Sequence, residues 1–287
     1  MLKRHPNNYL FMKRYFYLLL LAALVCGCND SDNEGDNPAG TGSETQRPVT
    51  SDEILPRRLV SINEKFDDED PYTKTFAYDK QGRLAMITHG YDYGSEYYTT
   101  HYTYKDNTIV ADNGYVYRLQ NGRAVTVLFE DEFEQWEDTF NYDAAGYLVS
   151  YLFSDNDSCS VTYASNGFSL KSQDDESDFT LSVEFDRTRL NNLNIDFYGI
   201  CWIEEELTGT YPDALLLGVG GQRWRYLPAT MTTVNHFEEE DGKWYTDKDV
   251  YRYVYHTEGD YLSEIEVYVK SNNNPEKEYL RFVFHYE

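Results

Sequence analysis

The sequence predicts an all-β fold: an antiparallel up-and-down meander of hairpins curled into a half-barrel or barrel-like sheet, with one short helix near 212–217. Three observations carry this expectation. The stretch FAYDKQGRLAMI at 76–87 returns as FNYDAAGYLVSY at 140–151, with Phe, Tyr, Asp, Gly and Leu at the same spacing. The chain holds 28 Tyr and 15 Phe in 287 residues, and such residues suit a pleated, half-buried surface. Turn chemistry punctuates the apolar runs throughout, which favours many short strands over a few long helices.

In the first hairpin Phe76 and Tyr78 lie two apart and so share one face of a strand. Asp79-Lys80-Gln81-Gly82 is a turn: Asp bonds its own downstream backbone, and Gly accepts the positive φ that closes a hairpin loop. Leu84 and Met86 then alternate on the returning strand. Asn121-Gly122 in RLQNGRAV marks a shorter turn. Phe140, Tyr142, Asp143, Gly146 and Leu148 repeat the first unit. Val161, Tyr163, Gly167 and Ser169 keep its spacing, with the turn expected at Asn166-Gly167. In PDALLLGVGG, Pro212 and Asp213 suit a first helical turn and the glycines its end. Tyr253, Tyr255, Gly259 and Tyr261 form the last copy, with His256 in place of the Asp.

YDKQGRL and YDAAGYL resemble the YD repeats of Rhs-type surface proteins. The wider order is hairpins, then PDALLLGVGGQRWRYLP, then YRYVYHTEGDYLSEIEVYV and EYLRFVFHYE. Over roughly residues 56–287 it resembles a Bacteroidetes lipoprotein family of unknown function with a porin-like β fold. The resemblance implies an outer-membrane or cell-surface protein and brings no catalytic residues with it.

The first residues support an envelope address. Lys13-Arg14 precede YFYLLLLAALV and then CGC, which is the charged, apolar and small-residue order of a signal peptide. Val25-Cys26-Gly27-Cys28 resembles a lipobox with Cys28 as the acylated residue, and an ordinary secretory signal is the competing reading. Residues 1–27 are thus a lipoprotein signal peptide, 28–55 an acidic, disordered tether, and 56–287 a single β domain. Acidic residues just after Cys28 resemble a surface-export signal; a spacer facing the periplasm is the alternative.

Charge narrows the partners. The chain carries −25 at pH 7, and loss of Lys3, Arg4, Lys13 and Arg14 with the signal makes that −29. Such a chain repels phosphate backbones, so no nucleic-acid partner is expected. Lys74, Glu96, Arg252, Glu264, Glu266 and Arg281 are expected on the non-aromatic strand face. A barrel inserted in lipid needs an apolar outer band, so the protein is expected to be anchored, not inserted.

No HExxH, GxSxG or Walker loop occurs. No cofactor, metal site or catalytic residue is assigned. Acidic runs such as EDEFEQWED and FEEEDGKW read as solvated loops, although an envelope glycoside hydrolase would need only two well-placed carboxylates. Trp136 and Trp244 border such runs and are the candidate ligand-binding residues for a glycan or protein partner; packing across a strand pair is the competing reading. Cys159 and Cys201 form either a disulfide or two buried free thiols. An accessory lipoprotein with no small ligand stands beside the binding-module reading.

Overall fold

In a computed structural model, which describes residues 48–66, 71–91, 98–130, 135–153, 158–173, 177–201, 210–238, 243–272 and 274–287, the domain is a closed barrel of 16 strands. In chain order these are β1 (Leu59–Phe66), β2 (Tyr72–Tyr78), β3 (Leu84–Tyr91), β4 (Tyr98–Lys105), β5 (Thr108–Ala111), β6 (Tyr115–Gln120), β7 (Arg123–Glu130) and β8 (Gln135–Tyr142). They continue as β9 (Leu148–Leu152), β10 (Ser158–Ala164), β11 (Gly167–Gln173), β12 (Ser177–Leu190), β13 (Tyr226–Glu238), β14 (Trp244–Glu258), β15 (Tyr261–Ser271) and β16 (Lys277–Tyr286). Each strand pairs antiparallel with its sequence neighbours, and β1 pairs with β16 to close the ring. Closure leaves no sheet edge exposed.

The barrel has two unlike ends. The tight connections β2–β3, β4–β5, β6–β7, β8–β9, β10–β11 and β14–β15 gather at one, the turn end. The remaining hairpin connections lie at the other, the loop end. The repeated sequence unit is the turn-end hairpin. Asp79 N donates to Arg83 O at 2.9 Å and Gly82 N to Asp79 O at 2.9 Å; Asp143 N and Gly146 N repeat both bonds at 2.9 and 3.0 Å. The Asp79 carboxylate accepts from the amides of Gln81 and Arg83, and Asp143 accepts from Tyr147. Gly82 and Gly146 have φ of +79° and +93°, the left-handed region that disfavours other residues. Gly167 plays a different part from the one its sequence suggests. The turn falls at Ser165-Asn166, and Gly167 opens β11 where a Cβ would lie 1.9 Å from Val183 O. Close approach of β12, not a turn, excludes a side chain there.

The repeated Tyr has a specific task. Tyr78 donates to Leu59 O, Tyr104 to Leu84 O, Tyr142 to Ala124 O, Tyr163 to Leu148 O and Tyr255 to Pro228 O. In each case a residue near the turn end of an even strand bonds a carbonyl at the turn-end start of the preceding strand. These latches explain why the unit keeps Tyr rather than Phe at that position.

The interior is filled. Between β12 and β13 the chain turns inward through α1 (Phe197–Ile200) and α2 (Tyr211–Leu216). The sequence anticipates α2 but not α1, which ends at Cys201. Leu193, Ile195, Phe197, Tyr198, Ile200, Tyr211, Ala214, Leu215 and Trp224 are each at most 3% exposed. Trp224 stacks on Phe168 of β11 at 4.0 Å, Tyr211 meets Phe140 of β8 and Tyr151 of β9, and Phe197 meets Tyr255 of β14. Asn194 accepts from Leu59 N and donates to the Tyr78 hydroxyl, while Ala124 N donates to Val219 O. The inward segment therefore touches strands around most of the ring.

A closed polar network fixes its entry. The Asn191 amide donates to the Asp196 carboxylate and to Trp224 O, and its oxygen accepts from Phe197 N. Burial raises the Asp196 carboxyl, and Arg223 at 3.6 Å opposes that. Residues 48–55, assigned to the tether by composition, are docked over this entry. Arg225 grips the Glu53 carboxylate at 2.7 and 3.0 Å, and Leu55 N donates to Asn192 O.

The outer face around β14–β16 carries a charge lattice. Arg281 reaches Glu264, Glu266 and Glu278, Arg252 pairs with Glu276 at 2.6 Å, and the Tyr268 hydroxyl donates to Glu266. Lys74 departs from the expected outer face. It is two residues from Phe76 and so shares the inner face, where it pairs with Glu64 at 2.9 Å.

Candidate functional site

The loop end stands out by what it leaves uncovered. Among the described residues the large apolar side chains left exposed are Tyr98 (58%), Leu152 (41%), Trp244 (57%) and Tyr245 (39%). Tyr98 and Trp244 begin β4 and β14, and Leu152 ends β9, so all four lie at the loop end. Among the described residues the turn end exposes none of this class.

The two candidate tryptophans are at this end but are not brought together. Trp136 alternates in phase with the buried Asp138 and Phe140 and so belongs to the inner face of β8. It is half-buried, stacks on Phe129 at 5.3 Å and meets the edge of Tyr115 at 5.7 Å. Trp244 is out of phase with the buried Tyr251 and Tyr253 and belongs to the outer face of β14. Its neighbour Tyr245 stacks on Phe237. Packing accounts for Trp136, whereas Trp244 is available to solvent.

A second group spans four adjacent strands and was not singled out from sequence. Glu64 of β1 pairs with Lys74 of β2, and the Lys74 ammonium lies 6.0 Å from the Tyr72 ring. The Tyr72 hydroxyl is 2.7 Å from His89 Nδ1 and 3.0 Å from the Tyr98 hydroxyl. His89 lies parallel to Tyr98, with ring centroids 4.4 Å apart and planes within 7°. Burial, helped by the Lys74 charge, lowers the His89 pKa to about 4, so the imidazole is neutral at physiological pH. The sequence signal was present in the inner-face phase of Tyr72, Lys74, His89 and Tyr98. It could be read only once the β2–β3 and β3–β4 registers were known.

Both cysteines are buried free thiols, not a disulfide. Cys159 lies beside Tyr151 of β9, and burial pushes its thiol up to about 11. Burial raises the Cys201 thiol well above its ordinary value; the Glu64 charge on β1 adds to this and the Lys74 charge on β2 opposes it. Their surroundings belong to different sides of the ring, which is why the strand-neighbour geometry a disulfide needs does not arise. Cys28 lies outside the described residues.

Among the described residues no cluster of His, Cys, Asp or Glu is arranged to hold a metal ion. The buried Asp138 accepts from the Thr210 hydroxyl at 3.1 Å and so joins β8 to the inward segment. No helix among the described residues is long and apolar enough to cross a membrane, a statement that does not bear on strands.

No protein-family model matches the chain, and no curated protein is significantly similar to it. Its fold is similar to that of a porin-like protein from Bacteroides uniformis, with a TM-score of 0.59 and 16% identity over 82% of this chain and 99% of that one. A match to the Photorhabdus luminescens Tc holotoxin pore covers 73% of this chain but 11% of that chain, with 14% identity and a TM-score of 0.30. The first similarity establishes a shared barrel fold; the second does not extend to a common overall architecture.

Proposed function

We propose that the protein is a lipid-anchored envelope protein of the cell surface, and that its filled barrel is a non-enzymatic module presenting the loop end to a glycan. One observation carries this reading: among the described residues the exposed large apolar side chains all lie at the loop end, opposite the end at which β1 begins. The Glu53–Arg225 clip holds the residues just before β1 at the turn end. The charged outer lattice supports an anchored barrel, since lipid-facing strands need an apolar band. The filled interior argues against a channel. With the interior occupied, ligand contact falls to the rim.

The filled interior favours one second reading, an accessory lipoprotein without a small ligand. A glycan array separates the two. Wild-type protein is expected to retain a subset of glycans, and Trp244→Ala to weaken retention without altering the circular dichroism spectrum. Failure of the wild type to retain any glycan would select the accessory reading. Cys28→Ser is expected to release the protein from membranes, because stable attachment needs acyl chains. An unmodified Cys28 in intact-mass analysis of membrane-derived protein would refute the anchor.

A further inference from the structure

We infer that residues 48–55 form a releasable strap, and that its hold on Arg225 sets how readily the inward segment loosens within an intact barrel wall. The segment enters and leaves through one neck. Asn191 N donates to Arg225 O at 2.8 Å, and the Arg223 guanidinium donates to Leu193 O at 2.6 Å and to Asn191 O at 3.4 Å. Leu190 and Tyr226, on either side of the neck, pair as the last rung between β12 and β13. The strap crosses both limbs. Leu55 N donates to Asn192 O on the entering limb at 2.9 Å. On the leaving limb the Arg225 guanidinium donates to Pro48 O at 3.3 Å and to both carboxylate oxygens of Glu53.

The strap is built to hold and able to let go. Glu53 N donates to Thr50 O, and the Thr50 amide and hydroxyl each donate to Glu53 Oε2 at 2.9 Å. This turn aims the carboxylate at Arg225. Arg225 is the more enclosed partner, its side chain 11% exposed, so loss of Glu53 leaves a guanidinium in a nearly closed site without its anion. The strap itself is lightly held: none of residues 48–55 is buried, and Thr50, Ser51 and Asp52 are exposed. It lies outside the 16 strands, so it can leave while the ladder around the ring stays closed. Segments with few buried contacts open at lower free energy than the whole molecule. Strap release is such an opening, and it loosens both limbs of the neck. The entering limb leads straight to α1: Phe197 N donates to Asn191 Oδ1, and the Asn191 amide donates to the Asp196 cap. Motion at the neck therefore passes to α1 and to Cys201 at its end.

Native-state hydrogen exchange and thiol labelling of the full chain read this opening. The variants are Glu53→Ala, the milder Glu53→Gln, and Tyr142→Phe as a control that weakens the wall elsewhere. Glu53→Ala is expected to speed exchange across residues 191–201 at least about tenfold, the scale of a lost charge-assisted hydrogen bond, while β5 and β6 exchange as in the wild type. Cys201, buried at the end of α1, is expected to react with N-ethylmaleimide faster by a similar factor, and Cys159, buried in the wall on β10, at the wild-type rate. Tyr142→Phe should show no such preference for the inward segment. Glu53→Gln should give the same pattern at smaller amplitude, and it carries the test if Glu53→Ala fails to fold. Equal acceleration at 191–201 and in β5 and β6, or of Cys201 and Cys159, would show that the clip only adds to global stability and would overturn the strap. Wild-type exchange at 191–201 in both Glu53 variants would overturn it as well.

Discussion

Replacing Tyr142 by Phe removes one atom and tests the meaning of the repeat. The ring would keep its place, while the bond from its hydroxyl to Ala124 O, 2.8 Å long, would be lost. Burial pushes the phenols of this group upward, Tyr78 and Tyr104 each to about 12, so they are neutral donors under all ordinary conditions. A hydrogen bond of this kind contributes about 1 kcal/mol net, and an acceptor left partly unpaired in a half-buried setting brings the loss to about 1–2 kcal/mol. For a domain of this size that lowers Tm by about 2–6 °C. The latches of Tyr78, Tyr104, Tyr142, Tyr163 and Tyr255 bond five different strands. Their effects should add approximately, and replacing all five would cost about 5–10 kcal/mol. That rivals the whole stability of a typical domain. Urea unfolding followed by tryptophan fluorescence measures each variant, with the exposed Tyr245→Phe expected to change stability by less than about 0.5 kcal/mol. If the fivefold variant unfolded at the wild-type urea concentration, the latch would be incidental geometry and the repeat would need another explanation.

Gly167→Ala is expected to be more damaging than any single latch variant. Its Cβ would meet the Val183 carbonyl at 1.9 Å, so β11 and β12 must separate; about 3 kcal/mol or more of lost stability in the same urea assay is expected, and a wild-type midpoint would contradict the close approach. The Glu53–Arg225 clip makes a pH prediction. The Arg225 guanidinium, joined by Thr50, holds the Glu53 carboxyl well below the usual range, so the folded state favours the carboxylate. Its contribution is full above the ordinary Glu value of about 4.3 and declines as pH falls toward the folded value. The stability gap between wild type and Glu53→Gln should then be constant from about pH 5 to 8 and shrink below about pH 4. A gap that widens on acidification would reverse the sign and refute the clip.

The hairpins were legible because their information is local. Asp79, Gly82, Asp143 and Gly146 specify turns through bonds within five residues, and alternation placed Phe76 and Phe140 on the buried face. The short helix at 211–216 followed from Pro212 and its trailing glycines in the same way. Long-range facts were hidden. Closure of β1 on β16 depends on accumulated twist and stagger across the whole sheet. Gly167 resembled a turn glycine because its neighbour Asn166 supplied the expected dipeptide, while the strand that crowds it lies sixteen residues away at Val183. Lys74 was misplaced by treating charge as a sign of solvent; its phase with Phe76 was the better guide. Trp136 and Trp244 both border acidic runs, yet one residue of phase puts them on opposite faces. The Tyr72–His89–Tyr98 triangle joins three strands and has no motif.

The inward segment decides how such a barrel can act. A ring of sixteen strands is wide enough that strand side chains alone leave a water-filled centre, as in channel-forming barrels. An apolar inner wall lining water would be unstable, so a ring with this polarity requires a filling. The connection from β12 to β13 supplies it. That segment runs from Asn191 to Arg225, far longer than a hairpin connection needs, and it carries an apolar density without the period of two seen in the strands. It enters at the turn end, where Asn191, Asp196 and Arg223 close behind it and Glu53 and Arg225 fasten the preceding chain across the entry. Where a channel-forming barrel keeps a water-filled lumen, this one is apolar within, charged on the β14–β16 face, and plugged from the turn end. On the proposed binding reading, recognition falls to the surfaces that the filling does not use, and among the described residues the loop end is where aromatic side chains remain uncovered.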